Sequence, residues 1–233
     1  KLGMPETKMF LTGNMKFDVE TSRDMRGQLE ARRSLGLKDD EVLFVAGSTH
    51  EGEEDIVLNV FKQLEPEFPK LRLVIAPRHI ERAGEVEGII RRFDCEPARI
   101  SSLPATRYPL PDTRIYILDA IGQLNDIYSI AEIVFIGGSL VRHGGQNPIE
   151  PALFERPILF GPHMFNFKDI SSIFLDRHAA VRVADGKELF NAARGLLRDE
   201  SRRRTLGMNA KKAVLENRGA TGRNLEMIKK LYV

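Results

Sequence analysis

Residues 133–163 read IVFIGGSLVRHGGQNPIEPALFERPILFGPH, and they hold the densest set of groups able to do chemistry. An apolar run, Ile133 to Ile136, breaks at Gly137-Gly138. A second pair, Gly144-Gly145, precedes Asn147 and Glu150 at the start of a helix-like segment. A strand that ends in glycines and feeds a helix start lets backbone N–H groups come close to a phosphate. A carboxylate one turn into that helix is placed to accept hydrogen bonds from ribose hydroxyls. Recognition of a sugar nucleotide needs both parts.

Three further segments share this character: Gly47-Ser48-Thr49-His50-Glu51, Pro77-Arg78-His79 and Asp119-Ala120-Ile121-Gly122. Each follows an apolar run, and each has a structural reading beside a binding one. Ser48 and Glu51 have the spacing of a capping box, in which the Ser48 hydroxyl bonds the Glu51 N–H and Glu51 reaches back. The same residues can contact a ligand, and His50 can face either the cleft or solvent. Pro77 fixes the turn after its strand, so Arg78 and His79 leave the sheet together. Arg78 is then a surface ion-pairing group or a phosphate or carboxylate ligand, and the peptide groups of its turn can read a nucleobase edge. Gly122 is a helix-entry glycine or an anion contact, and Ser139 a turn hydroxyl or a phosphate contact. Asn147, Pro148 and Glu150 suit the cap, first and third positions of a helix. Capping alone does not call for the open loop that Gly144 and Gly145 provide, so binding is the preferred reading.

Several other chemistries lack their signatures. The turn after Val42–Ala46 reads GSTHEG, without G-x-G-x-x-G. No Walker A lysine pattern and no G-x-S-x-G elbow occurs. Cys95 is the one cysteine and has no evident activating partner. The five histidines are scattered and no Cys/His cluster has zinc-ligand spacing. No metal or other cofactor is expected.

Positioning these groups falls to short apolar runs alternating with amphipathic segments. Strands are expected at Met9–Thr12, Val42–Gly47, Leu71–Ala76, Ile115–Leu118, Glu132–Ile136, Ile158–Phe160 and Ala180–Val183. Helices are expected near 22–35, 51–64, 80–93, 123–130, 148–155, 167–176, 186–198, 200–216 and 222–232. The strands are apolar nearly throughout, as when helices cover both faces of a sheet. Strand and helix in alternation give βαβ units, hence a Rossmann-like, doubly wound parallel α/β sheet. In such a sheet ligands bind beyond the carboxyl ends of the strands, so the four segments should meet at one cleft. The proline-bearing stretch 95–113 reads as a surface excursion with at most one short strand.

The chain has 233 residues, 42% hydrophobic and 29% charged, ordinary for one large globular domain or two small ones. The reading adopted is one nucleotide-sugar domain over 1–233. A lone cysteine fits a reducing compartment. No apolar stretch is long enough to span a bilayer and no signal peptide is recognised. Residues 1–8 (KLGMPETK) read as a linker entering a domain, so a piece of a longer protein is expected. Net charge is +2, yet from Arg198 onward ten Lys or Arg face four Asp or Glu. That basic helical segment, near 200–233, is a solvated face or a surface for anionic lipid. Its few aromatics argue against nucleic acid.

Taken together, Gly13-Asn14-Met15-Lys16-Phe17-Asp18, Gly47 to Glu54, Pro77-Arg78-His79-Ile80-Glu81-Arg82, Gly137-Gly138-Ser139-Leu140 and Gly144 to Ala152 resemble, in collinear order, the C-terminal half of 3-deoxy-D-manno-octulosonic acid (Kdo) transferases. The resemblance implies the C-terminal domain of a GT-B glycosyltransferase that binds CMP-Kdo. Such an enzyme transfers Kdo with inversion to a lipid A precursor at the cytoplasmic face of the bacterial inner membrane, in lipopolysaccharide biosynthesis. It implies that Arg78 and its turn contact cytidine, that Ile121 and Gly122 line the nucleotide pocket, and that Gly144, Gly145 and Asn147 approach the phosphate or Kdo. Glu150 would hold the ribose, with Ser48 and Thr49 near the donor sugar. The family usually has Pro at the place of Ile80, His at that of Gln146, and Asp-Thr-Met-Gly-Glu-Leu where this chain has Asp119-Ala120-Ile121-Gly122-Gln123-Leu124. The family's N-terminal domain, with its membrane anchor, acceptor groove and carboxylate base, has no counterpart in these residues, so the chain alone is expected not to transfer. Rival readings are a UDP-sugar transferase or UDP-N-acetylglucosamine 2-epimerase-like domain, and a non-catalytic nucleotide-binding module.

Overall fold

A computed structural model describes residues 9–20, 25–103 and 113–231. The expected linker at 1–8, and Pro104, Pro109 and Pro111 of the excursion, lie outside the described residues. Seven strands form one sheet in which every pairing is parallel. They are β1 (Val42–Thr49), β2 (Leu71–Pro77), β3 (Ala98–Arg99), β4 (Ile115–Ile117), β5 (Ile133–Ile136), β6 (Ile158–Phe160) and β7 (Ala180–Arg182), in the order β3-β4-β2-β1-β5-β6-β7. β1 therefore lies between β2 and β5, and the order of the chain reverses at the β1/β5 boundary.

Alternate residues of each strand feed two separate cores, which is why the strands are apolar on both faces. Leu43, Val45, Val134 and Ile136 join one core; Phe44, Ala46, Ile133 and Phe135 join the other. The first core is covered by α1 (Met25–Ser34), α4 (Leu124–Tyr128), α5 (Ile149–Leu153) and α6 (Lys168–Asp176), together with α8 (Glu200–Glu216). The second lies under α2 (Glu53–Leu64), α3 (Ala83–Arg91) and α7 (Gly186–Arg198). α9 (Ala220–Leu231) closes the described chain. The expected α/β fold with helices on both faces stands.

One expected strand does not form. Residues 9–14 have no regular structure, and Met9, Phe10 and Leu11 are exposed. Their apolar run has no neighbour on the sheet; the segment instead docks beside α9, where the Arg223 side chain donates to the Thr12 carbonyl at 2.7 Å. The Asp18 carboxylate accepts from the N–H groups of Gly219 and Thr221, both at 2.6 Å.

Candidate functional site at the carboxyl edge of the sheet

Because all seven strands run one way, the turns after β1, β2, β4, β5 and β6 share one edge. β1 ends in a bulge: its register on β2 slips between Gly47 and Thr49, and Ser48 takes a left-handed φ of 56°. The Ser48 carbonyl lies where a side chain on Gly137 would stand, 2.3 Å from an ideal Cβ, so β5 needs glycine there. The Thr49 hydroxyl is buried and donates to Glu54 at 2.9 Å, and the Thr49 carbonyl accepts from the Arg78 N–H at 2.9 Å. Arg82 closes on the same Glu54 carboxylate at 2.8 Å. These bonds join the ends of β1 and β2.

The capping box for which Ser48 and Glu51 have the spacing does not form. Gly52, with φ 89°, sets α2 to begin at Glu53, so the carboxylate that reaches back is two residues later. Glu53 Oε2 accepts from His50 N at 3.0 Å and Gly138 N at 2.6 Å; Oε1 accepts from Ser139 N and Leu140 N, each at 2.9 Å. Burial raises the Glu53 pKa, and the four N–H donors pull against that rise. The N–H groups of the first glycine turn, expected to serve a phosphate, are thus already occupied. The Ser139 hydroxyl is also turned inward: it donates to the Ile136 carbonyl and accepts from Gly161 N at 2.7 Å, tying β5 to β6. The Ser139 hydroxyl thus serves the turn, its proton given to the Ile136 carbonyl. Glu53 was missed in the sequence because an N-terminal helix carboxylate looks like an ordinary cap. The signal present was Gly52 before paired glutamates, which fixes the helix start.

The second glycine pair leaves groups available. Gly144 and Gly145 have φ of 94° and 74°, and ideal Cβ atoms on them would sit 2.3 Å from Asn166 Nδ2 and 2.2 Å from Met164 Sδ. Gly145 N donates to Gly138 O at 2.8 Å, hanging the loop from the turn that Glu53 fixes. The backbone N–H groups of Gln146 and Asn147 have no hydrogen-bond partner among the described residues. Asn147 Oδ1 accepts from Ile149 N at 3.1 Å, while α5 starts one position later than expected, with Pro148 flanking it. Asn147 Nδ2 also donates to Glu150 Oε1 at 3.0 Å, the one side-chain hydrogen bond of Glu150 among the described residues. Burial raises the Glu150 pKa and this bond partly offsets the rise. A half-buried carboxylate with spare acceptor capacity suits a neutral hydroxyl donor.

Glu150 also acts electrostatically on Tyr128, whose buried hydroxyl is pushed far above its ordinary pKa, mainly by desolvation. That hydroxyl fills the space over Gly47, 1.9 Å from an ideal Cβ there. α4 and α5 pack together, and both begin at the carboxyl edge, so Gly122 and Glu150 stand at neighbouring helix starts. Gly122 has φ 83° with open space around it, and Ile121 is 85% exposed. Arg78 and His79 are exposed at the end of β2; Arg78 has no ion-pair partner among the described residues. His50 stacks on His143 with ring centroids 4.2 Å apart and meets His79 edge-on at 6.2 Å. Its Nε2 lies 3.2 Å from Gln146 Nε2. Desolvation first, then the neighbouring histidines, Arg82 and Arg78, lower its pKa to about 4. The structure thus brings His50, Arg78, Gly122, Gly144, Asn147 and Glu150 to one edge, while the side chains of Thr49 and Ser139 serve it from beneath. Among the described residues no group of His, Cys, Asp and Glu is arranged to hold a metal ion.

No family model matches the chain. A 3-deoxy-D-manno-octulosonic acid transferase of Haemophilus influenzae is 34% identical over 98% of this chain and 53% of its own length. The chain spans about half the length of the curated relatives it matches in this way. The C-terminal CMP-Kdo binding domain of WaaA from Acinetobacter baumannii superposes with a TM-score of 0.72 at 27% identity, covering 82% of this chain and 99% of that one. Anabaena HepE, solved with UDP and glucose, shares the fold alone: TM-score 0.66 and 13% identity over 90% of this chain and 53% of HepE.

Proposed function

Since the chain is a relative of the Kdo transferases along nearly its whole length, we propose that it is the donor-binding half of such an enzyme and grips CMP-Kdo at the carboxyl edge of its sheet. The observation that carries this reading is the pairing of an open loop, Gly144 to Asn147, whose Gln146 and Asn147 N–H groups have no partner among the described residues, with the half-buried Glu150 three residues on. The loop receives the single phosphate and Glu150 the ribose hydroxyls. The β2 turn at Pro77 and Arg78, with the open rim at Ile121 and Gly122, takes the cytosine.

In transfer, an acceptor hydroxyl attacks the anomeric carbon as the bond to CMP breaks, and the departing phosphate gains negative charge. N–H groups and an arginine already aimed at that phosphate stabilise the transition state more than the ground state. Arg78, exposed and without an ion-pair partner among the described residues, is the arginine that would do this. Transfer to a lipid A precursor, as part of lipopolysaccharide synthesis at the inner membrane, needs a second half that supplies the base and acceptor groove. The basic surface of α8 and α9 supports a peripheral approach to anionic lipid. No helix among the described residues is long and apolar enough to cross a membrane.

The test is calorimetric titration with CMP and UDP. CMP should bind in preference, and Glu150→Ala should weaken it by about 1–3 kcal/mol, the weight of lost hydrogen bonds to a charged group. A preference for UDP, or an unchanged CMP affinity in Glu150→Ala, would remove the proposal.

A further inference from the structure

A turn that presents successive N–H groups toward one point is an anion nest. Gly138, Ser139 and Leu140, joined by His50 N, make such a nest at the β1/β5 boundary, the place where an open α/β sheet receives ligands. Here the nest is filled from within, by a fully buried carboxylate on the first turn of α2. Each of its oxygens accepts two N–H donors, an arrangement that the ionised form satisfies. The turn so fixed holds the neighbouring loops in its own right. Gly138 O takes Gly145 N at 2.8 Å and Ser139 O takes His163 N at 2.9 Å; the loop so hung takes Asn166 N on Gly144 O at 2.9 Å.

We propose that Glu53 is a built-in anion that fixes the phosphate loop and restricts the site to nucleotides bearing one phosphate. This rests on the donor-site reading above. A phosphate held by the N–H groups of Gln146 and Asn147 sits beside a nest with no free donors. A second phosphate reaching toward the nest meets a fixed negative charge in place of N–H groups. Displacing Glu53 would strand a buried carboxylate without donors, a costly exchange. Glu53 touches no ligand in this account; it is a positioning and selecting residue.

The chain, Glu53→Ala and Glu53→Gln would be titrated with cytidine, CMP and CDP, and amide hydrogen exchange followed in each. The unaltered chain should prefer CMP to CDP. In Glu53→Ala, CMP affinity should fall about tenfold while cytidine affinity holds within about twofold, the phosphate contact alone being disturbed. The preference for CMP over CDP should shrink by a similar factor. Exchange at Gly145 N and His163 N should quicken while β2 and α7 keep their protection. Parallel losses of cytidine and CMP, an unchanged CMP-to-CDP ratio, or unchanged exchange at Gly145 would overturn the role. Should Glu53→Ala not fold, Glu53→Gln carries the same comparison, since its amide turns N–H against N–H in the nest. Should neither fold, Glu53→Asp keeps the charge and should retain the preference for CMP while quickening exchange at Gly145; either result reversed overturns the role. An unaltered chain that binds none of the three ligands defeats the donor reading and the single-phosphate claim together. Normal binding with an unchanged ratio in the variants defeats the claim for Glu53 alone.

Discussion

His50 shows what a single side chain experiences at this edge. Partial removal from water first, then the neighbouring His143, His79, Arg82 and Arg78, bring its pKa from 6.5 down to about 4. The neutral form is therefore the folded one, and its contribution to stability is complete above pH 6.5 and is lost as pH falls toward 4. Titration followed by imidazole nitrogen shifts should find His50 still neutral at pH 6, with a midpoint well below the ordinary value. A midpoint near 6.5 would mean that the stack on His143 does not persist in solution. The bulge at Ser48, which no periodicity announces, sets His50 against His143 and His79. Glu53 was illegible for a related reason: a one-residue shift in a helix start changes which carboxylate points back. The positions of Arg78 and Glu150 at the carboxyl edge were readable because each sits at a fixed distance from a proline or glycine that sets the local backbone.

Among elements, strands β1, β2, β4, β5, β6 and β7 were legible within a residue or two, because burial on both faces demands unbroken apolar runs. The run at 9–12 is also apolar and failed: it pairs with no strand and lies exposed beside α9, because composition alone does not say which surface a short segment will meet. The loops divide more sharply. Gly122 and Gly145 both have left-handed backbones, yet a Cβ on Gly122 meets open space and one on Gly145 meets the sulfur of Met164. Gly122→Ala should cost about 1 kcal/mol in backbone conformation alone. Gly145→Ala adds steric overlap and should cost about 2–4 kcal/mol, with CMP affinity falling too. Chemical denaturation of the two variants measures the difference; equal losses would show that the 144–147 loop is not packed as described.

For the molecule as a whole, the described ends meet. Asp18 holds the start of α9 by two backbone N–H groups; the Thr221 side chain first, then these N–H groups, pull its pKa from 3.8 to about 2. Its contribution is complete above pH 3.8 and is lost as pH falls toward 2. Asp18→Asn should speed amide exchange across 220–231 at pH 7, and the difference from the unaltered chain should vanish between pH 4 and 2. Equal exchange at pH 7 would show that α9 is held by other contacts. This closure was not readable in sequence, because the two segments lie at opposite ends and neither carries a periodic signal for the other. A larger consequence comes from the first turn of α2, where adjacent glutamates pull in opposite directions. Glu53 grips the end of β5, and Glu54, through Thr49 and Arg82, grips the end of β2. One rigid helical turn thereby sets the spacing between the turn after β2, proposed to take the nucleobase, and the glycine turn after β5, from which the proposed phosphate loop hangs. On the proposed donor reading, neither side can drift to suit a ligand of the wrong length, and the pair would measure its nucleotide as a ruler does, end to end.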